Sequence, residues 1–186
     1  MKKKIFLSSV IVYAFITISF ITNNQKINKD FNTDAISLIE FDLVPEGIDY
    51  LSSTNTISLS ESDFLSKFIN PNSISNEYRE MDDDNSNVYK YNGAEAWFYK
   101  QKLDALIFTN SEYKFILSNG TSIKVGDNIS LVAKYFPNSW SNGEEYSENQ
   151  VFIELIGPNG PLDSVIVFEF EISTGFITKI VFNTID

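Results

Sequence analysis

Two alternating runs, Val88-Tyr89-Lys90-Tyr91 and Ala94-Glu95-Ala96-Trp97-Phe98-Tyr99, flank the dipeptide Asn92-Gly93. Asn-Gly in that setting specifies a two-residue type I′ turn, whose backbone twist matches that of the paired strands. The turn fixes a register: Tyr91 opposite Ala94, Lys90 opposite Glu95, Tyr89 opposite Ala96, and Val88 opposite Trp97. Side chains alternate across a strand, so Tyr89, Tyr91, Ala94, Ala96 and Phe98 share one face. Val88, Lys90, Glu95, Trp97 and Tyr99 share the other. The two alanines leave room for a helix on the first face, which would leave a Trp-Tyr patch beside a cross-strand ion pair on the second.

A second constraint is self-similarity. Sliding the chain by 66 residues aligns Leu51-Ser52 with Leu117-Ser118, Ile57 with Ile123, Leu65 with Leu131, and Pro71-Asn72-Ser73 with Pro137-Asn138-Ser139. That is seven identities in 23 ungapped positions. Further on, Lys102-Leu103 with Leu106-Ile107-Phe108 parallels Phe176-Ile177 with Ile180-Val181-Phe182. A duplicated unit is a fold-level signal. Repeat 1 spans about 48–110 and repeat 2 about 113–183.

Each unit reads as a short strand, a helix and three strands. In the first, Ser60 caps a helix with Asp63 three residues on, and Phe64, Leu65, Phe68 and Ile69 form its apolar stripe. Pro71 ends it. In the second, Gly126-Asp127-Asn128 opens a helix striped by Ile129, Val132, Ala133 and Phe136, and Pro137 stops it. Helices this short must dock on a sheet. Ile36–Val44, closed by Pro45-Glu46-Gly47, reads as a strand. Lys100-Gln101-Lys102 turns into a strand over Leu103–Phe108. Val151–Ile156, Ser164–Ile172 and Phe176–Phe182 are strands separated by turns at 157–161 and 173–175. The expected class is α+β: a tandem repeat of a short helix plus antiparallel strands, with helices on one face of the sheet.

With VYKYNGAEAWFYKQKLDALIF (88–108) and the helix segment VGDNISLVAKYFP (125–137), this pattern resembles the tandem modules of the beta-lactamase inhibitor protein family. It is similar also to small outer-membrane assembly lipoproteins built on one such module. The resemblance implies an exported, non-catalytic protein-binding module. The lipoprotein cysteine is missing and no known inhibitory loop is matched, so neither family's target carries over.

Composition narrows the chemistry. The 186 residues include no histidine, no cysteine and a single arginine, Arg79. That removes a Ser-His-Asp triad, a Cys nucleophile, disulfides and zinc sites built on imidazole or thiolate, and leaves no arginine cluster for phosphate. Lys2, Lys3 and Lys4 precede an apolar run from Ile5 to Ile21, and no acidic residue precedes Asp30. This reads as a secretory signal over 1–22, with an uncleaved membrane anchor as the other reading. Residues 23–35 read as a flexible tether and 36–186 as the duplicated domain. Without the three lysines the net charge of −11 becomes −14. Nucleic acid is disfavoured as a partner, since its binding relies on Lys and Arg. The expected location is beyond the inner membrane, periplasmic or extracellular, or anchored there by the N-terminus.

Carboxylates are the remaining acid/base option. Asp82-Asp83-Asp84 fails as a calcium loop: from Asp82, the sixth position is Asn87 rather than glycine and the twelfth is Gly93 rather than glutamate. It reads as a solvated loop. Glu144, Glu145 and Glu148 lie in a polar loop over 139–149. Glu169 and Glu171 alternate on a strand about 7 Å apart, a separation compatible with sugar hydrolysis. Gly157-Pro158-Asn159-Gly160-Pro161 is a turn, because its prolines lack the N–H donors a phosphate cradle needs. Asn119-Gly120-Thr121 and Asn128-Ile129-Ser130 match the glycosylation sequon. No cofactor and no catalytic motif are expected.

The expectation is a non-enzymatic binding module whose partner is another protein, acting through Trp97, Tyr99, Val88, Lys90 and Glu95, with Trp140 and Tyr146 in second rank. A carboxylate-dependent hydrolase of envelope sugars and an acidic immunity-type protein that neutralises a basic toxin are the competing readings.

Overall fold

The structure is a computed structural model that describes residues 33–48, 55–68, 70–80, 83–142 and 148–184. The expected leader and most of the tether lie outside these residues. Within them are eleven strands in two sheets and three short helices. The strands are β1 (Ala35–Ser37), β2 (Phe41–Pro45), β3 (Ser73–Arg79), β4 (Asp84–Tyr91), β5 (Ala94–Tyr99), β6 (Lys102–Phe108), β7 (Tyr113–Leu117), β8 (Ser122–Lys124), β9 (Gln150–Gly157), β10 (Gly160–Phe170) and β11 (Ile177–Thr184). The helices are α1 (Glu61–Lys67), α2 (Ser130–Tyr135) and α3 (Pro137–Asn142).

The larger sheet runs β1-β9-β10-β11-β6-β5-β4-β3 and the smaller β2-β7-β8. All pairings are antiparallel except β1 with β9. This corrects the expected α+β class. The fold is mostly β, two sheets face to face with short helices filling beside them. Nor do the halves form tandem helix-on-sheet units. The meanders β4-β5-β6 and β9-β10-β11 fuse edge to edge through β6 and β11 into one sheet. After the matching Pro-Asn-Ser triplets the chain differs outright: Ser73 starts β3, whereas Pro137 starts α3.

One core lies between the sheets. Phe41 stacks on Phe115 at 5.3 Å, and Phe115 meets Phe168 of the larger sheet edge-on at 5.4 Å. Ala94, Ala96 and Phe98 of β5, Leu106 and Phe108 of β6, and Ile180 and Phe182 of β11 join the same cluster. The hairpin register is the one its turn dictates, residue for residue. Gly93 has φ +76°, but Asn92 does not lie at positive φ, so the turn is not the expected type I′, which needs φ > 0 at both central residues. Lys100 and Gln101 turn the next hairpin with φ 47° and 67°, without glycine.

Over the alanines sits α1. Ser60 caps it, its Oγ accepting from the Asp63 N–H at 3.2 Å. Phe64 and Phe68 stack at 4.2 Å, and Phe64 meets Phe98 at 5.1 Å. Tyr89 donates its hydroxyl to Glu61 at 2.6 Å, tying α1 to β4; burial pushes that hydroxyl's pKa up to about 12, and the bond to Glu61 adds to the rise. Pro137, expected only to stop a helix, occupies the first position of α3, where its missing N–H costs nothing. The Asp34 carboxylate accepts from the N–H groups of Asn138 and Ser139 at 2.8 and 3.0 Å, capping α3 from 104 residues before Asn138. The run Ile36–Val44, expected as one strand, breaks at residues 38–40. Its halves join different sheets, β1 at the edge of the larger and β2 in the smaller.

Asp42 of β2 is fully buried. Its Oδ1 accepts from the N–H groups of Leu43 at 2.8 Å and Thr56 at 2.6 Å, and Lys67 Nζ lies 3.9 Å from Oδ2. Burial is the largest influence and raises the carboxyl pKa, against the opposing hydrogen bonds and lysine charge. The folded state therefore holds this proton more tightly than the unfolded chain. Stability drawn from it is present at low pH and is lost as pH rises through the folded pKa. Urea unfolding of the wild type and Asp42→Asn at about pH 7 and about pH 4.5 checks this: the difference between them shifts in favour of the wild type at the lower pH. Equal differences at both pH values would show that Asp42 titrates normally.

Candidate functional site

The second face of the larger sheet carries two adjacent cross-strand rows. One runs Phe152, Val167, Val181, Ile107, Glu95, Lys90 and Ser73; the other runs Glu154, Val165, Asn183, Ala105, Trp97, Val88 and Ser75. Phe152, Val167, Val181, Ile107, Val165, Ala105, Trp97 and Val88 thus form a contiguous apolar field at the other parity from the inter-sheet core; Val88, Ala105 and Val167 in it are buried and the other five are half-buried. An antiparallel sheet commonly presents a polar second face, so apolar side chains on both faces of six strands are unusual.

Charge rims this field. Lys90 Nζ lies 3.7 Å from Glu95 and 3.8 Å from Glu77. The Trp97 indole N–H donates to Glu95 at 2.5 Å, so one carboxylate fixes both the ring and the lysine. Beside them β5 and β6 slip register at a bulge that leaves Asp104 unpaired in the ladder. Arg79 donates to the Asp104 carboxylate at 2.6 Å, and the Thr184 hydroxyl donates to its other oxygen at 2.7 Å. The Arg79 guanidinium stands 4.5 Å over the Tyr99 ring, and Lys100 Nζ lies 4.6 Å from the same centroid. At the far end Lys179 pairs with Glu169 at 2.9 Å, and Gln150 donates to Glu169 at 3.2 Å.

The structure therefore brings Val88, Lys90, Glu95, Trp97 and Tyr99 together as the hairpin register requires. Trp140 is elsewhere: it lies on α3 against Phe170, at 5.8 Å, where Phe170 packs on the inter-sheet core. Tyr146, Glu144, Glu145 and Asp82 lie outside the described residues. The described part of the segment 36–51 packs on the core side through Phe41 and Leu43. Sequence reasoning missed Ile107, Val181, Val167 and Phe152. The signal was present in LDALIF, SVIVFEF and ITKIVF, which are apolar at both parities where a half-solvated strand would alternate.

The carboxylate pair proposed for sugar hydrolysis does not assemble. Strand β10 ends at Phe170 with a register shift at Glu169, and Glu171 sits in the following turn, accepting from the Thr174 hydroxyl at 2.7 Å. Among the described residues no group of three or more acidic side chains could hold a metal ion. No helix among them is long and apolar enough to cross a membrane.

No protein-family model matches the chain, and no curated protein sequence matches it. One solved structure is similar, that of an extracellular protein containing a SCP domain from Bacillus anthracis str. Ames, at 11% identity with a TM-score of 0.44. The superposition covers 75% of this chain and 48% of that one, so this chain spans about half that protein's length. A superposition this loose assigns neither family nor activity, and it does not bear on inhibitor-type modules.

Arg79 and Asp104 hold the bulge that presents Tyr99. Their side chains are 25% and 11% exposed, so the bond is partly shielded from water. A double-mutant cycle of Arg79→Ala and Asp104→Ala, read by urea unfolding, is expected to give a coupling of about 1–2 kcal/mol. Arg79→Lys recovers only part of it, because a point charge cannot cover the ring and reach the carboxylate together. A coupling near zero would mean that the pair is incidental to the bulge.

Proposed function

We propose that the chain is an exported, non-catalytic binding module that recognises another protein through the second face of its larger sheet. The observation that supports this is the partly buried apolar field with its charged rim, which carries Trp97 toward its β4 end. Protein-binding hot spots combine a large aromatic anchor, apolar surroundings that exclude water, and charged groups at the edge. All three occur here on rigid antiparallel strands. Trp97 is held by Glu95 and Tyr99 by Arg79, so little side-chain freedom remains to be lost on binding. The basic start and apolar run at residues 2–21 support export. The partner is a protein with an apolar contact surface and polar groups placed to meet Lys90, Glu77 and Glu95.

The test is site-specific photo-crosslinking from position 90, on this face, compared with position 134 on α2, on the other side of the molecule, using the full chain in its producing cells. A discrete crosslinked partner is expected from position 90 alone. Trp97→Ser with Tyr99→Ser is expected to lower its yield at least tenfold, equivalent to ~1.4 kcal/mol of binding. Undiminished crosslinking by a double variant of unchanged stability would sink the reading.

A further inference from the structure

Strand β3 closes one end of the larger sheet, pairing with β4 on one side. It is seven residues long, contains no proline, and carries Ile74 at 65% and Tyr78 at 60% exposure. Edge strands of this length are usually blunted by proline, lysine or a bulge, because their outward N–H and C=O groups are a template for another strand. No bulge interrupts the seven pairs that β3 makes with β4. We propose that β3 is a self-pairing edge: two copies of this chain join antiparallel through β3 about a two-fold axis at Asn76.

The sequence of the strand selects both occupant and register. For one core face to continue across the junction, paired residue numbers must sum to an even value, so that both partners point to the same side. A sum of 152 is the register that pairs all seven residues. It sets Ile74 against Tyr78, Ser75 against Glu77, Ser73 against Arg79, and Asn76 against its own copy. The two exposed apolar side chains meet each other twice, and an aliphatic–aromatic cross-strand pair is among the stabilising kinds. Ser75 faces a carboxylate that its hydroxyl can donate to. No like charges stand opposite. Sliding by two residues in one direction places Glu77 on Glu77, and in the other leaves Tyr78 and Arg79 without partners.

The opposite edge of the sheet fits β3 poorly. There β1 is three residues long, so pairing β3 with β1 of a neighbour, which would propagate an open filament, offers under half the ladder. The β3–β3 contact closes on itself as a dimer. It sets two copies of the Trp97 face side by side on one surface, since Glu77 and Arg79 of β3 already border that face. The self-pairing does not depend on the binding reading.

Asn76→Cys gives a clean test in a chain without cysteine. Across an antiparallel pair, opposed Cβ atoms are about 4.5–5.5 Å apart, within easy reach of mild oxidation or a short bis-maleimide. Tyr78→Cys, whose copy would sit about 13 Å along the strand at ~3.3 Å per residue, is the control. The full chain is purified in mild detergent and followed by sedimentation velocity from micromolar to near-millimolar concentration. A concentration-dependent dimer is expected, with efficient crosslinking at 76 and at least tenfold less at 78. Ile74→Lys should abolish the dimer, and Ile74→Lys with Tyr78→Glu should restore it, because the new charges face each other only in this register. A monomer at every concentration, equal crosslinking at both positions, or no rescue by the charge pair would each overturn the proposal. Loss of Trp97-dependent crosslinking with the dimer intact would count against the binding face alone.

Discussion

Everything in the larger sheet depends on the antiparallel seam between β6 and β11. Four residue pairs make it: Ile180 with Phe108, Val181 with Ile107, Phe182 with Leu106, and Asn183 with Ala105. Each half of the chain supplies a three-stranded meander that could form by local pairing, but a meander with one dry face is marginal by itself. Joining them puts Phe108, Leu106, Ile180 and Phe182 over a continuous floor on which the smaller sheet can rest. The seam also has a cost in freedom: its partners lie more than seventy residues apart, and the loop closed by pairing them must be ordered before the contact is made. Such a seam has to be strongly apolar to form at all. That requirement explains why three of the four residues at its other parity, Ala105, Ile107 and Val181, are apolar as well, with Asn183 the exception.

With no disulfide available, the smaller sheet is held by rings. Phe41, Phe115 and Phe168 form a path of aromatic contacts from one sheet to the other. A second path runs from Phe64 through Phe68 to Tyr113 and Phe108, with Phe68 and Tyr113 nearly coplanar in orientation at 5.9 Å and Tyr113 and Phe108 at 4.9 Å. Each such side chain removes a large apolar area from water, and ring-to-ring geometry adds about 0.5–1.5 kcal/mol per pair beyond that area. The buried Asp42 carboxylate of β2 is the counterweight, a polar group whose hydrogen bonds pin the segment at Thr56 to the smaller sheet.

What could be read in the sequence is what local chemistry decides. The Asn92-Gly93 turn sets its own register, and every pair it implies is formed, including the Lys90–Glu95 contact beside Trp97. The Ser60 cap and the Phe64 and Phe68 stripe are local in the same sense. The rest was set by distant partners. Pro-Asn-Ser occurs twice, yet Ser73 enters a strand because Lys90 pairs with it, while Asn138 and Ser139 enter a helix because Asp34 caps them. Strand β3 was missed because Ser-Ile-Ser-Asn-Glu-Tyr-Arg has too little apolar alternation to declare itself. The binary pattern sees burial, and an edge strand is scarcely buried. The tandem helix-on-sheet reading failed for a related reason: β2 of the smaller sheet pairs over a long separation, with β7, and the strands of that sheet are only three to five residues each.

The second face of the larger sheet follows from these constraints and also departs from them. A seam strand needs apolar residues toward the core, and its neighbours could have offset that with polar groups outward, as β3 does with Ser75 and Glu77. Instead β9, β10, β11, β6, β5 and β4 each place an apolar side chain on the outer rows, and the charges are moved to the margins in pairs: Lys179 with Glu169 at one end, Lys90 with Glu95 and Glu77 at the other. Paired margins keep the local charge small even though the chain is strongly acidic. Val88, Ala105 and Val167 of that field are buried, so water is kept from much of the second face, while the charged pairs stay at its margins. The single arginine of the chain is placed at this border, where it holds the bulge and covers Tyr99 at once. A lysine could do one of these things or the other, but its geometry does not allow both.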